Sequence, residues 1–302
     1  MTAAVPSRPQ ATLLVLAGAI MISFAPVFAR VAEVAPTTSA FYRMVFGALG
    51  FAVLLLLQPT LRAGWRQHWA SSTLIAFIFA ADLWFWHQSI LLIGPGLSTL
   101  LANFQVFILT AVGMIWLGER VGWRFGLGLG LAVGGLWLLF GRDWVALSPE
   151  ARLGVILGLM TAVAYGLYLL GLRSVQIRAP GLRPETRLAQ VTLACGVILG
   201  VINLIEGHSF VIPTTSSLAA LIALGLLCQV TGWLLITRGL PFLPAALVGL
   251  LLLLQPTASV GWDVLWFGLT LSPWQWLGAS LALLGIYFGL RAGAHQPNRV
   301  KR

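Results

Sequence analysis

The sequence predicts an all-α integral membrane protein of ten transmembrane helices, arranged as two inverted five-helix repeats. Three observations predict it. Hydrophobic residues make up 59% of the 302 residues and charged residues only 9%, against about 25% charged in a soluble domain. The apolar residues fall in ten runs, each near the ~20 residues needed to cross the hydrocarbon core. The two halves of the chain resemble each other.

The runs lie at about 11–30, 37–57, 71–93, 96–117, 123–141, 153–173, 186–206, 216–237, 242–267 and 273–291. The first has no small-residue cleavage site and reads as a span rather than a removed signal peptide. "LQPT" and "RAGWRQHW" separate the second and third runs, "GPG" at 94–96 the third and fourth, and "RAPGLRPE" at 178–185 the sixth and seventh. Only helices and closed barrels satisfy backbone groups in lipid, and these runs are too long for barrel strands.

Arginine and lysine fix the orientation. With the N-terminus in the cytoplasm, fourteen positive charges fall inside: Arg8, Arg62, Arg66, Arg120, Arg124, Arg173, Arg178, Arg183, Arg187, Arg238, Arg291, Arg299, Lys301 and Arg302. Three fall outside, Arg30, Arg142 and Arg152, and Arg43 lies within a span. Both termini are therefore expected in the cytoplasm. The formal net charge is +10, but the charges sit in short segments between apolar runs and form no nucleic-acid patch. Cys195 and Cys228 lie in apolar runs and read as buried free thiols.

A displacement of 150 residues pairs Gln105 with Gln255, Gly118 with Gly268, Gly128 with Gly278 and Gly135 with Gly285. A displacement of 147 pairs Asp82 with Gln229 and Trp86 with Trp233, and sets Gln190 opposite Arg43. The expected units are 1–145, 146–292 and a basic tail at 293–302. Five spans per half means the second half enters the membrane from the opposite side, a recurrent design of secondary transporters.

The segments "AFYRMVFGALG" in the second run and "WLGERVGWRFGLGLGLAVGGLWLL" across the fourth and fifth resemble the drug/metabolite transporter superfamily. The resemblance is to its EamA-type ten-helix exporters, most of all the YddG-type aromatic amino acid exporters. The chain departs from that pattern in the second half, where Gly268 is followed by Leu269 instead of Glu. The resemblance implies a central cavity between the halves, enclosed by spans one to four and six to nine. It also implies export of small metabolites, aromatic or other apolar amino acids among them, across a bacterial inner membrane by alternating access. The implied partners are the small-molecule solute and the lipid bilayer.

Ionisable groups inside spans cost about 2.5–3.5 kcal/mol on insertion scales and mark interior or wet surfaces. In "ADLWFWHQS" at 81–89, Asp82, Trp86 and Ser89 share one helix face, and His87 lies beside Gln88 and Trp84 about 140° away. One set lines a cavity, and the other meets a neighbouring helix or the interface. Asp82 reads either as a solute or proton site or as a structural partner of Arg43. His87 reads as a solute contact or a packed hydrogen-bonder. Asn103, Phe107 and Thr110 form one stripe, Gln105 and Ser98 another, Gln229, Trp233 and Ile236 a third, and Gln255, Ser259 and Trp262 a fourth. The amides Asn103, Gln105, Gln229 and Gln255 suit a neutral or zwitterionic solute, or bridge helices. Tyr165, Tyr168, Trp84, Trp86 and Trp233 are candidates to stack on a ring, with core packing as the alternative.

Pro26 and Pro256 bend their spans. Gly126, Gly130 and Gly134 allow close helix contact within the chain or with a second copy in a homodimer. There is no nucleotide-binding loop, zinc-spaced cluster or hydrolase motif, so neither a cofactor nor enzymatic chemistry is expected. A passive channel and a lipid-modifying enzyme are the rival classes.

Overall fold

The computed structural model describes residues 6–93, 95–116, 118, 122–140, 148–178, 182–267 and 272–294. Glu119, Arg120, Arg142, Gly268, Leu269, Arg299, Lys301, Arg302 and the 145/146 boundary lie outside these residues.

Among the described residues the regular structure is helical. The first span comprises α1 (Arg8–Ser23) and α2 (Ala25–Val31), followed by α3 (Pro36–Leu57) and α4 (Trp69–Ile93). The fourth comprises α5 (Pro95–Ala102) and α6 (Gln105–Ile115), and the fifth is α7 (Trp123–Phe140). The second half begins with α8 (Pro149–Arg178) and α9 (Pro184–Ile205). Its third span comprises α10 (Thr215–Ala223), a π-helical stretch (Leu224–Gly232) and α11 (Trp233–Gly239). α12 (Ala245–Leu252), α13 (Leu254–Phe267) and α14 (Pro273–Ala294) complete it. Seven of these spans are long and apolar enough by themselves to cross a membrane. Leu57, Leu91, Ile115 and Ile205 belong to a broad exposed apolar surface suited to lipid.

Proline opens α3 and α9, where its missing N–H is no loss and its fixed φ suits a first turn. Within spans it does the reverse. The first span breaks at Phe24, two residues before Pro26, and the ninth at Leu253, three residues before Pro256. Carbonyls beside the first break find partners across the bundle. Ser259 Oγ donates to the Ser23 carbonyl at 2.8 Å, and the Cys228 thiol donates to that of Met21 at 3.2 Å. Interrupted helices are tolerated at membrane depth where neighbours satisfy them in this way.

Two breaks differ from the straight helices expected. A turn at Asn103–Phe104 divides the fourth span, so Asn103 and Phe107 no longer share a stripe: Asn103 is buried and Phe107 is exposed. The π stretch rotates Gln229 relative to Trp233.

The halves match in three dimensions. α5 spans 95–102 and α12 spans 245–252, so the breaks after them recur 150 residues apart. α7 crosses α14 through the paired glycines. A β-carbon on Gly135 would collide with the Gly278 carbonyl and the Ala282 backbone, and one on Gly285 with the equivalent Gly128 and Ala132. Gly126, Gly130 and Gly134 take no part in this contact, since a β-carbon on any of them meets nothing within 4 Å. α3 and α9 start at Pro36 and Pro184, a displacement of 148. That register sets Gln190 opposite Tyr42 and corrects the expected pairing of Gln190 with Arg43.

Candidate functional site

The polar residues of α4 are distributed by helix geometry. Asp82 and Trp86, one turn apart, face a cavity of about 90 Å³. Trp84 and Gln88 point to another side, where the Trp84 indole N–H donates to Glu206 Oε1 at 2.6 Å and Gln88 Nε2 donates to the same oxygen at 3.1 Å. His87 Nδ1 lies 2.6 Å from the Leu83 carbonyl. A carbonyl only accepts, so Nδ1 carries the hydrogen. Ser89 Oγ donates to the Gly154 carbonyl at 2.8 Å and lies 2.9 Å from Ser98 Oγ. The stretch serves one cavity and two helix contacts.

The cavity lies between the halves, at and beyond mid-span on the side away from the N-terminus. Ile22, Ala25 and Pro26 border it at the first break, and Thr99, Ala102 and Asn103 at the fourth-span turn. α8 contributes Thr161 and Tyr165, α11 Trp233, and α13 Gln255 and Ser259. Six of the ten expected residues therefore meet here: Asp82, Trp86, Asn103, Tyr165, Trp233 and Gln255. Gln255 Nε2 donates to Tyr165 Oη at 3.2 Å, and Asn103 Nδ2 to the Thr99 carbonyl at 2.7 Å. Among the described residues no hydrogen bond or ion pair engages the Asp82 carboxylate, leaving it to the cavity.

The other four sit elsewhere. His87 is buried on its own backbone bond. Tyr168 stacks on Phe79 with centroids 4.1 Å apart, and the edge of Trp233 closes on both rings. This aromatic layer underlies the cavity. Gln229 does not line it: Arg43 Nε donates to Gln229 Oε1 at 3.2 Å, and Gln229 Nε2 donates to Thr192 Oγ1 at 2.9 Å. Arg43 also lies over the Phe79 ring, 5.9 Å from its centroid. Of the two readings of Asp82, the structural pair with Arg43 is not made as an ion pair among the described residues, and the guanidinium meets the buried Gln229 amide instead. Gln105 is fully buried, with neither amide atom hydrogen-bonded.

Thr99, Thr161 and Ile22 were not singled out as site residues from the sequence. Small hydroxyls and aliphatics carry no distinctive signal, although the Pro26 break marks the place on the first span.

On the N-terminal side the bundle is closed. Arg187, expected as a loop charge, is buried in α9 and donates to Ser71 Oγ at 2.8 Å and Ser72 Oγ at 3.1 Å. Ser72 Oγ donates to Gln190 Oε1 at 2.6 Å, and Gln190 Nε2 to the Trp65 and Gln67 carbonyls at 2.7 and 3.0 Å. Arg238 pairs with Glu185 beside them. The arrangement is a pocket within the helix bundle with apolar and aromatic walls, a carboxylate and amides.

The profile of the EamA-like transporter family matches twice, over residues 10–141 and 152–291. The chain belongs to the EamA-like transporter family. Membership makes it a multi-pass membrane transporter of small molecules, and the two matches correspond to its two five-helix repeats. A solved structure described only as the crystal structure of a protein shares the EamA-like fold, with a TM-score of 0.83 at 18% identity over 95% of this chain and 99% of that one. Among curated proteins none matches the sequence.

Proposed function

We propose that this EamA-like protein is a secondary exporter of amino acids with apolar side chains, working by alternating access in a bacterial inner membrane with both termini cytoplasmic. The observation that carries the reading is the unpaired Asp82 carboxylate facing a cavity walled by Trp86, Tyr165 and Trp233. In this reading Asp82 receives the ammonium group, the Asn103 and Gln255 amides receive the carboxylate, and the aromatic wall receives the side chain.

Size refines it. The cavity, about 90 Å³, is smaller than the roughly 150 Å³ of an apolar cavity that holds benzene. Any such amino acid therefore requires the aromatic walls to part, and an indole requires more of that movement than an isobutyl group. Ligand that binds the folded protein raises its stability by about 2.7 kcal/mol at 100 times Kd. The test is thermal unfolding of purified protein with leucine, phenylalanine, tryptophan and the desamino analogue of leucine. The reading predicts stabilisation by leucine above that by tryptophan, none by the desamino acid, and loss of the leucine effect in Asp82→Asn. Equal stabilisation by leucine and its desamino analogue contradicts it.

A further inference from the structure

The fourth and ninth spans are repeat equivalents, yet the structure treats their two glutamines unequally. Gln255 lines the cavity and bonds Tyr165, whereas Gln105, displaced by 150 residues, is fully buried with both amide atoms unpartnered. An amide left without partners in a dry interior is costly, and each such case needs a physical account.

The packing around the two breaks supplies one. On the N-terminal side α12 rests tightly on α6: a β-carbon at Gly249 would stand 3.0 Å from Val106 Cγ2 and 3.2 Å from Leu109 Cδ1. The repeat equivalents of Gly249, Val106 and Leu109 are Thr99, Pro256 and Ser259. Thr99 and Ser259 line the open cavity. One seam is shut and its symmetry mate is open. Shutting Thr99 against Pro256 and Ser259 while parting Gly249 from Val106 and Leu109 exchanges the two ends of the bundle.

We propose that Gln105 is the solute-contacting amide of the opposite-facing state, taking over the position that Gln255 holds here. The proposal rests on the carrier reading above and adds which amide serves which side. Trp86 and Trp233 are equivalents at a displacement of 147 and both line the cavity, so the aromatic wall persists in both states. Asp82 has Gln229 as its equivalent, so the acid has no charged counterpart in the cavity facing the N-terminal side.

The test is sided labelling of single cysteines at 105 and 255, in a Cys195→Ala, Cys228→Ser background, in vesicles of known orientation. A membrane-impermeant thiol reagent is added to one side or the other without solute. A minor state populated at roughly 0.1–10% still labels with time. Gln255→Cys is expected to react from the side away from the N-terminus, and Gln105→Cys about tenfold faster from the N-terminal side than from the other. Labelling of Gln105→Cys from the same side as Gln255→Cys, or from neither side, overturns the proposal. Gln105→Leu gives a second readout. It removes the orphaned amide, so it is expected to raise Tm and slow solute exchange; unchanged exchange overturns the assignment. Because labelling needs no solute, sided labelling without amino acid exchange removes only the amino-acid reading, and exchange without sided labelling removes only the handover.

Discussion

Thr38 and Thr186 make the same hydrogen bond in opposite halves of the molecule. Thr38 Oγ1 donates to the Ser209 carbonyl at 3.1 Å, and Thr186 Oγ1 donates to the Leu61 carbonyl. Donor and acceptor are both displaced by 148 residues. Each threonine, near the start of its span, holds the loop that follows the other half's repeat-equivalent span, so the second and seventh spans bind the repeats reciprocally. Tyr42 and Gln190 extend the relationship, bonding the Phe210 and the Trp65 and Gln67 carbonyls.

Thr186→Val removes one of these bonds and leaves a buried carbonyl unpaired, which costs about 1–3 kcal/mol. Thr38→Val is expected to cost at least as much, because Thr38 Oγ1 is also the donor to the buried Asn203 Oδ1 at 2.9 Å, and valine leaves both acceptors without it. The two sites lie at opposite ends of the bundle, so the effects are expected to add within about 0.5 kcal/mol. Chemical unfolding of the single and double variants in detergent measures this; strong non-additivity contradicts independent clamps.

Gly135→Leu forces α7 from α14, with a cost of about 1–3 kcal/mol or more from overpacking. Gly130→Leu, five residues away on another face of α7, meets open space and is expected to be neutral or stabilising, since leucine favours helix over glycine by up to about 1 kcal/mol. Tm values of the two variants separate an intramolecular glycine seam from a general intolerance of α7 to bulk.

Gln229→Leu withdraws the hydrogen-bond acceptor of Arg43. A hydrogen bond to a charged group contributes about 1.5–3 kcal/mol, and the freed guanidinium has Asp82 as its remaining buried counter-charge. Lost solute exchange in a protein that still folds is the expected result. Normal exchange and normal Tm contradict a role for Gln229 in keeping Arg43 off the acid.

Proton coupling through Asp82 predicts that an imposed pH gradient accelerates transport in the wild type and not in Asp82→Asn. Equal rates with and without the gradient, in both proteins, remove the proton from the account.

The helical architecture was legible in composition and span length, because these reflect the solvent rather than any single contact. The division of "ADLWFWHQS" between a cavity and a neighbouring helix was legible from the 100° helical step, and Glu206 proved to be the neighbour's partner. Other features were not. Arg43 points to Gln229 because of a π stretch, and no residue in "LGLLCQVTG" announces one. The turn at Asn103–Phe104 has no proline or glycine at the break, so a continuous helix was the natural expectation and its stripes were misphased. Helical stripes cannot show that Gln105 is sealed and Gln255 open, since that difference belongs to one conformation of two nearly equivalent halves.

The most direct measurement is counterflow in proteoliposomes. Vesicles loaded with unlabelled leucine are diluted into labelled leucine, with phenylalanine, tryptophan and a cationic drug as competitors. The account predicts transient accumulation in the wild type, competition by phenylalanine above tryptophan, no effect of the drug, and loss of accumulation in Asp82→Asn. No accumulation of any of the three amino acids by folded, inserted protein contradicts the amino-acid carrier, while the ten-helix fold stands.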